Sequence, residues 1–203
     1  VHSIVGLAIL PCVLAYLTIP SLDEVYEVAP WSSIAAVVLF GFGWGLGATL
    51  FGLGANRVGM ALAFGVIMGL SSSFGSLLPL LVQAPAELFS PRGILLLISI
   101  LLVTGAIVLL ASAGSRRDHE RRGWASSGLE PADFAAGMIM CIASGLLSPM
   151  LNFSFTFGKP VRDAAIVFGA TPDLASNAIW TLALGAGLVP NALNASTCSL
   201  KTI

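Results

Sequence analysis

The chain alternates long apolar runs with short polar breaks. Two such runs lie back to back between Trp31 and Gln83, and Arg57 is the only charged residue in that interval. Each run exceeds the ~20 residues that a helix needs to cross ~30 Å of hydrocarbon. The polar break Gly54-Ala55-Asn56-Arg57 between them predicts a transmembrane helical hairpin. Glycine and serine crowd both runs, which suits close helix contact and a polar path.

The same pattern repeats along the chain and predicts about six spans. The first is Ile4 to Ile19, with Pro11 inside it and Pro20-Ser21 closing it. A loop carrying Asp23, Glu24 and Glu27 follows, flanked by Tyr26 and Trp31 as interface anchors. The second span is Ser32 to Ala55, in which Gly41 with Gly45 and Gly43 with Gly47 make two overlapping small-xxx-small pairs. The third is Val58 to Val82; Ser71, Ser72, Ser73 and Ser76 occupy its second half, ahead of Pro79. Those hydroxyls line a hydrated cavity or bond their own i−4 carbonyls. The fourth, Gly93 to Ala113, is nearly all Leu, Ile and Val and reads as a lipid-facing helix.

The fifth span, Phe134 to Phe155, holds the most polar intramembrane stretch, with Ser144, Ser148, Pro149 and Asn152 close together. Such groups are costly in hydrocarbon and should face protein or water. Pro160 and Gly169 then bracket a short interfacial helix with a charged start. The sixth span is Leu174 to Ala192, with Asn177, Trp180 and Pro190.

Composition makes the membrane reading firm. Of 203 residues, 57% are hydrophobic and only 9% are charged, against about 25% charged in soluble domains. The mean hydropathy is +0.95. Runs this continuous exclude a transmembrane β-barrel, which alternates within segments of about 10 residues. The fold class is therefore all-α, a polytopic membrane protein. Short loops rich in Arg face the cytoplasm, which places the basic stretch Ser115 to Arg122 there and, by alternation, Arg57 inside and the acidic loop outside. His119 reads as a solvated loop residue. Arg57 and Lys159 read as snorkelling anchors, with an extracellular gate as the other reading of Lys159.

Candidate chemistry is sparse. A net charge of −1 with no basic tract gives no nucleic-acid partner. Cys12, Cys141 and Cys198 match no metal or redox spacing and read as packing residues. Gly43-Trp44-Gly45-Leu46-Gly47-Ala48 fits GxGxxA in form, but it lacks a βαβ context and lies inside a span. Asn152 and Asn194 each fit a glycosylation sequon and are discounted. No HExxH, GxSxG or Walker motif appears and no carboxylate lies at mid-membrane, so neither an enzyme nor a metal site nor a cofactor is expected. The first residue, Val1, has no basic flank before the first run, and the last residues follow directly on an apolar run. The expectation is a fragment cut at both ends.

Leu39-Phe40-Gly41-Phe42-Gly43-Trp44-Gly45-Leu46-Gly47, followed by Gly52-Leu53 and Arg57-Val58-Gly59-Met60, resembles the L-rhamnose–proton symporter family of the drug/metabolite transporter superfamily. So do Met140-Cys141, Ser144-Gly145, Ser148, Asn152, Lys159-Pro160, Ala164-Ala165, Gly169 and Pro172. The resemblance covers most of Ile34 to Pro172. It implies a carrier of five plus five helices in two inverted repeats around a central site. On that plan residues 1–113 are the first repeat without its first helix. Residues 114–132 are a basic cytoplasmic loop, and 133–203 open the second repeat. It also implies proton-coupled sugar uptake across a bacterial inner membrane, with protons as the coupling ion. The expected partners are a small neutral sugar and the lipid bilayer; the sequence leaves the oligomeric state open.

Sugar recognition needs neutral hydrogen-bonding groups and aromatic faces in a concave site. The candidates are Asn152 and Ser148, with Trp44 opposite, and Asn177 and Trp180. The competing reading of the Ser and Asn residues is interhelical hydrogen bonding, worth ~0.6–2 kcal/mol each. Two rival functions stand beside the sugar carrier. One is a carrier of another metabolite or drug in the same superfamily, and the other is a non-transporting membrane subunit.

Overall fold

The computed structural model describes residues 5–83, 85–122 and 131–200. Among them no strand occurs. A π-turn, Val5–Ile9, leads into α1, Leu10–Thr18. Pro11 falls in the first turn of α1, where its missing N–H costs no helical bond. Helix α2, Leu22–Val28, follows at 94° to the first segment. The corner is made by Ser21, which takes a left-handed conformation with φ 51°. The acidic stretch expected as a loop is thus helical, with Asp23 and Glu24 in the first turn of α2, where carboxylates favour the helix dipole.

Helix α3, Trp31–Val58, runs through the whole second span and through the expected polar break. Gly54 and Ala55 are buried within it, so the sequence there is packing surface and not a turn. The break falls instead at Gly59, whose φ of 90° ends the helix without a Cβ penalty. Helix α4, Met60–Gln83, begins directly afterwards. A 3-10 turn, Pro85–Phe89, leads to α5, Pro91–Arg122. The basic stretch expected as a loop is the helical continuation of α5. Arginine is a good helix former, and a helix leaving hydrocarbon need not stop at its last apolar turn.

Helix α6, Pro131–Leu147, and helix α7, Met150–Phe157, are two pieces of the fifth span. Ser148 and Pro149 separate them: Pro149 has no N–H for the Gly145 carbonyl, and its ring disfavours helical backbone at Ser148. Helix α8, Lys159–Val167, has Pro160 in its first turn, and Gly169 follows with φ 94°. Helix α9, Asn177–Leu200, continues through Pro190.

Four stretches are long and apolar enough to cross a membrane: Trp31–Val58, Met60–Leu77, Asp133–Phe157 and Asn177–Ala195. A fifth crossing exists if the bent pair Gly6–Thr18 and Leu22–Val28 is one broken span. The remaining expected span is represented by the shorter apolar stretch Gly93–Ala106 in α5. Large apolar side chains point outward, among them Leu17, Leu101, Leu102 and Leu109. That surface suits lipid and would be untenable in water.

The chain divides into two compact units. One comprises residues 1–46 and 150–203, and the other 47–149. The core of the first is built on Ile19, Val25, Val37, Val161 and Ile179, with alanines at 15, 165, 175, 178 and 183. The core of the second is Ala55, Val58, Ala63, Ile67 and Cys141. Small residues dominate both, as expected where helix backbones approach closely.

Candidate substrate site

Within the first unit, α9 presents successive turns to different neighbours. Its first turns meet the broken α1–α2 element. Asn177 Nδ2 donates to Thr18 Oγ1 at 2.9 Å, and Thr181 Oγ1 donates to the Pro11 carbonyl at 3.1 Å. Tyr26 donates its hydroxyl to the Ala178 carbonyl at 2.9 Å. Tyr26 is therefore not an outward-facing anchor. Its ring is half-buried and its polar tip satisfies itself on α9. Trp31, by contrast, is 79% exposed.

Further along α9, Trp180 meets Phe155 of α7 edge-on, with ring centroids 4.7 Å apart. Trp180 still leaves part of its indole open, at 37% exposure. Asn152 lies one turn before Phe155 on α7 and is exposed. Its side chain makes no hydrogen bond to another described residue. The Asn152 amide thus stands about one helical turn from Phe155, the residue against which Trp180 packs.

Beyond that level α9 packs on α3. An added Cβ at Gly41 would land on the Ala183 backbone, and one at Gly45 on the Gly187 backbone. Trp44 lies against Gly187. That is two turns of α9, about 10 Å, from Trp180. Asn191 Nδ2 donates to the Gly187 carbonyl at 2.8 Å and to the Gly45 carbonyl at 3.4 Å. The second small-xxx-small pair is used as well. Gly43 leaves room for Met150 Sδ, and Gly47 for Leu147 and Ser148.

Ser148 belongs to the second unit. Its hydroxyl donates to the Ser144 carbonyl at 2.8 Å, a local back-bond on the turn before the helix break. Ser144 makes the longer-range contact: fully buried, it donates to the Gly47 carbonyl at 2.8 Å. In the first unit the buried Ser154 donates likewise to the Val37 carbonyl at 3.2 Å. Ser73, in the serine-rich half of α4, pairs with Thr104 at 3.1 Å.

Within the first unit, Asn152, Trp180, Asn177 and Trp44 have different neighbours along α9. Trp180 meets Phe155, which lies three residues after Asn152 on α7. Asn177 sits on the same helix as Trp180, but its amide nitrogen is spent on Thr18. Trp44 packs two turns away, and Ser148 lies in the other unit. Thr18 and Thr181 are polar residues near this surface that the sequence did not single out, and Tyr26 was read there only as an interface anchor. Their only sequence signal was a hydroxyl inside or beside an apolar run, which many residues share. Lys159 pairs with Asp163 at 2.7 Å on the exposed side of α8. Among the described residues, no group of three His, Cys, Asp or Glu side chains is placed to hold a metal ion.

These helices and their apolar exterior define an all-α polytopic membrane protein. The family model of the L-rhamnose-proton symport protein (RhaT) matches residues 1–202, and the chain belongs to that family. A protein of Yersinia pestis bv. Antiqua (strain Antiqua), described as an L-rhamnose-proton symporter, is 22% identical over 205 residues, covering 99% of this chain. A Yersinia pseudotuberculosis serotype I (strain IP32953) protein of the same description is 22% identical over the same share. The chain spans 57% of the length of each of these relatives. No solved structure matches the chain.

Proposed function

We propose that this protein takes part in proton-coupled transport of L-rhamnose or a closely similar neutral sugar across a bacterial inner membrane. The observation that carries the reading is the family match over residues 1–202. The chemistry of the first unit is in keeping with it. Asn152 offers a free amide to sugar hydroxyls, and the partly open face of Trp180 suits the apolar C–H face of a pyranose ring. Asn177 and Trp44 support the packing of this unit. Each has a packing role that accounts for its present contacts. Protons are the coupling ion, and residues 114–132 face the cytoplasm, as the arginine excess requires.

The test is uptake of labelled L-rhamnose by cells lacking their own rhamnose carrier, with a full-length Yersinia relative as positive control. Binding of L-rhamnose to the purified chain is measured in parallel. The reading expects saturable binding, and uptake that a protonophore abolishes. Asn152→Ala should weaken binding about tenfold, or about 1.4 kcal/mol. Neither binding nor uptake, with the relative active and this protein present in the membrane, would overturn it. Identity of only 22% to the symporters favours one second reading, a carrier of another small metabolite. Competition by unlabelled sugars and metabolites separates the two.

A further inference from the structure

Arg57 stands one residue from the end of α3, where a basic side chain ordinarily turns outward to the headgroup layer. Its tip stays over α6 instead. Its stem crosses Gly137, where an added Cβ would lie 2.7 Å from Arg57 Cβ. Nη1 donates to Met140 Sδ at 2.8 Å. Gly137 is what clears this path: any larger residue would push the stem away.

This leaves a guanidinium poorly matched. It carries five donors, and the thioether is a weak, uncharged acceptor. Among the described residues the one ion pair is Lys159 with Asp163, which does not involve Arg57. Asp133, in the first turn of α6, is exposed and forms no ion pair among the described residues. A partly buried cation beside hydrocarbon needs a counter-charge, because desolvation without one is costly. With Nη1 on Met140, the Nε and Nη2 edge has no partner among the described residues and forms a fork that matches two phosphate oxygens.

The surroundings identify the source of that phosphate. Met60 is 58% exposed and Ile139 66% exposed, flanking Arg57 in α4 and α6. A cation near the end of two spans, with open apolar side chains beside it, matches a lipid: phosphodiester on the fork, acyl chain on the apolar face. We infer that Arg57, with the clearance provided by Gly137, binds the phosphodiester of an anionic membrane lipid.

Native mass spectrometry of the purified chain, supplied with equal phosphatidylglycerol and phosphatidylcholine of matched chains, tests this. The wild type should retain phosphatidylglycerol preferentially, and less of it as salt rises. Arg57→Gln should lower occupancy of the tightest phosphatidylglycerol about fivefold and leave phosphatidylcholine unchanged. Arg57→Lys, which keeps the charge without the fork, should fall between them and serves if the glutamine variant does not fold. Arg162→Gln is the control for surface charge and should change nothing. Equal retention of the two lipids by the wild type, or undiminished phosphatidylglycerol on Arg57→Gln, would overturn the assignment. Displacement of the lipid by inorganic phosphate would overturn the lipid as the source.

Discussion

Asn177 Nδ2 donates to the Thr18 hydroxyl at 2.9 Å, joining α9 to α1 across most of the sequence. The Thr18 hydroxyl in turn donates to the Leu14 carbonyl at 2.6 Å, so amide, hydroxyl and carbonyl are joined by two consecutive hydrogen bonds. Such bonds between helices in a membrane contribute about 0.6–1.7 kcal/mol. Asn177→Ala should therefore lower thermal stability in detergent by about that amount. A double-mutant cycle with Thr18→Val should return a coupling of the same size. Zero coupling would mean that the two side chains do not meet.

The two serines four residues apart on the fifth span make opposite predictions. Ser144 reaches another helix, whereas Ser148 bonds its own turn. Ser144→Ala should cost about 1 kcal/mol, measured by thermal unfolding. Ser148→Ala should change stability by less than about 0.5 kcal/mol. Loss of rhamnose binding in a stable Ser148→Ala protein would assign that hydroxyl to the substrate.

Glycines at the helix contacts should be intolerant, and those facing open space tolerant. Gly45→Val would drive a side chain into the Gly187 backbone, and overpacking of this kind costs about 1–3 kcal/mol or more. Gly52 and Gly105 have no atom within 4 Å of an added Cβ. Gly52→Ala and Gly105→Ala should stabilise α3 and α5 by up to about 1 kcal/mol through helix propensity. Melting temperatures of the three variants against the wild type decide it.

The two tryptophans separate in the same way. Trp180 is partly open beside Phe155, while Trp44 is packed on Gly187. Trp180→Ala should weaken L-rhamnose binding about tenfold, equivalent to about 1.4 kcal/mol. Trp44→Ala should leave affinity within about twofold and act on stability instead, through the lost aromatic burial. The reverse order in equilibrium binding would move the site to the α3 face.

What could be read from the sequence was what the bilayer imposes. Apolar run length gave the second, third, fifth and sixth spans but not the full length of the fourth, of which Gly93–Ala106 is the apolar stretch among the described residues. The small-xxx-small spacing gave both contact faces of α3. Pro160 and Gly169 gave the ends of α8, because both act through backbone geometry alone. The misplaced boundaries have a common cause. Gly54 to Arg57 looked like a turn by composition, yet helix packing consumed the small residues and only Gly59 needed a positive φ. Asp23 to Glu27 and Ser115 to Arg122 looked like loops because they are charged, although charge does not prevent helix outside hydrocarbon. The candidate site was legible only as a list of polar residues. Whether Asn177 was free or tied to Thr18 depended on the packing of α9 against α1, which no local pattern announces.

The contact of Gly41 and Gly45 with Ala183 and Gly187 has a consequence for heat and for motion. Backbone meets backbone there, so association freezes almost no side-chain rotamers and loses little conformational entropy. Its strength rests on dispersion between close surfaces, which weakens little with warming. The seam is not smooth along its length: the Trp44 ring sits on Gly187, and Asn191 reaches across to the Gly45 carbonyl. The same four small residues therefore let α3 and α9 meet at backbone distance, while Trp44 and Asn191 hold the two helices in one register.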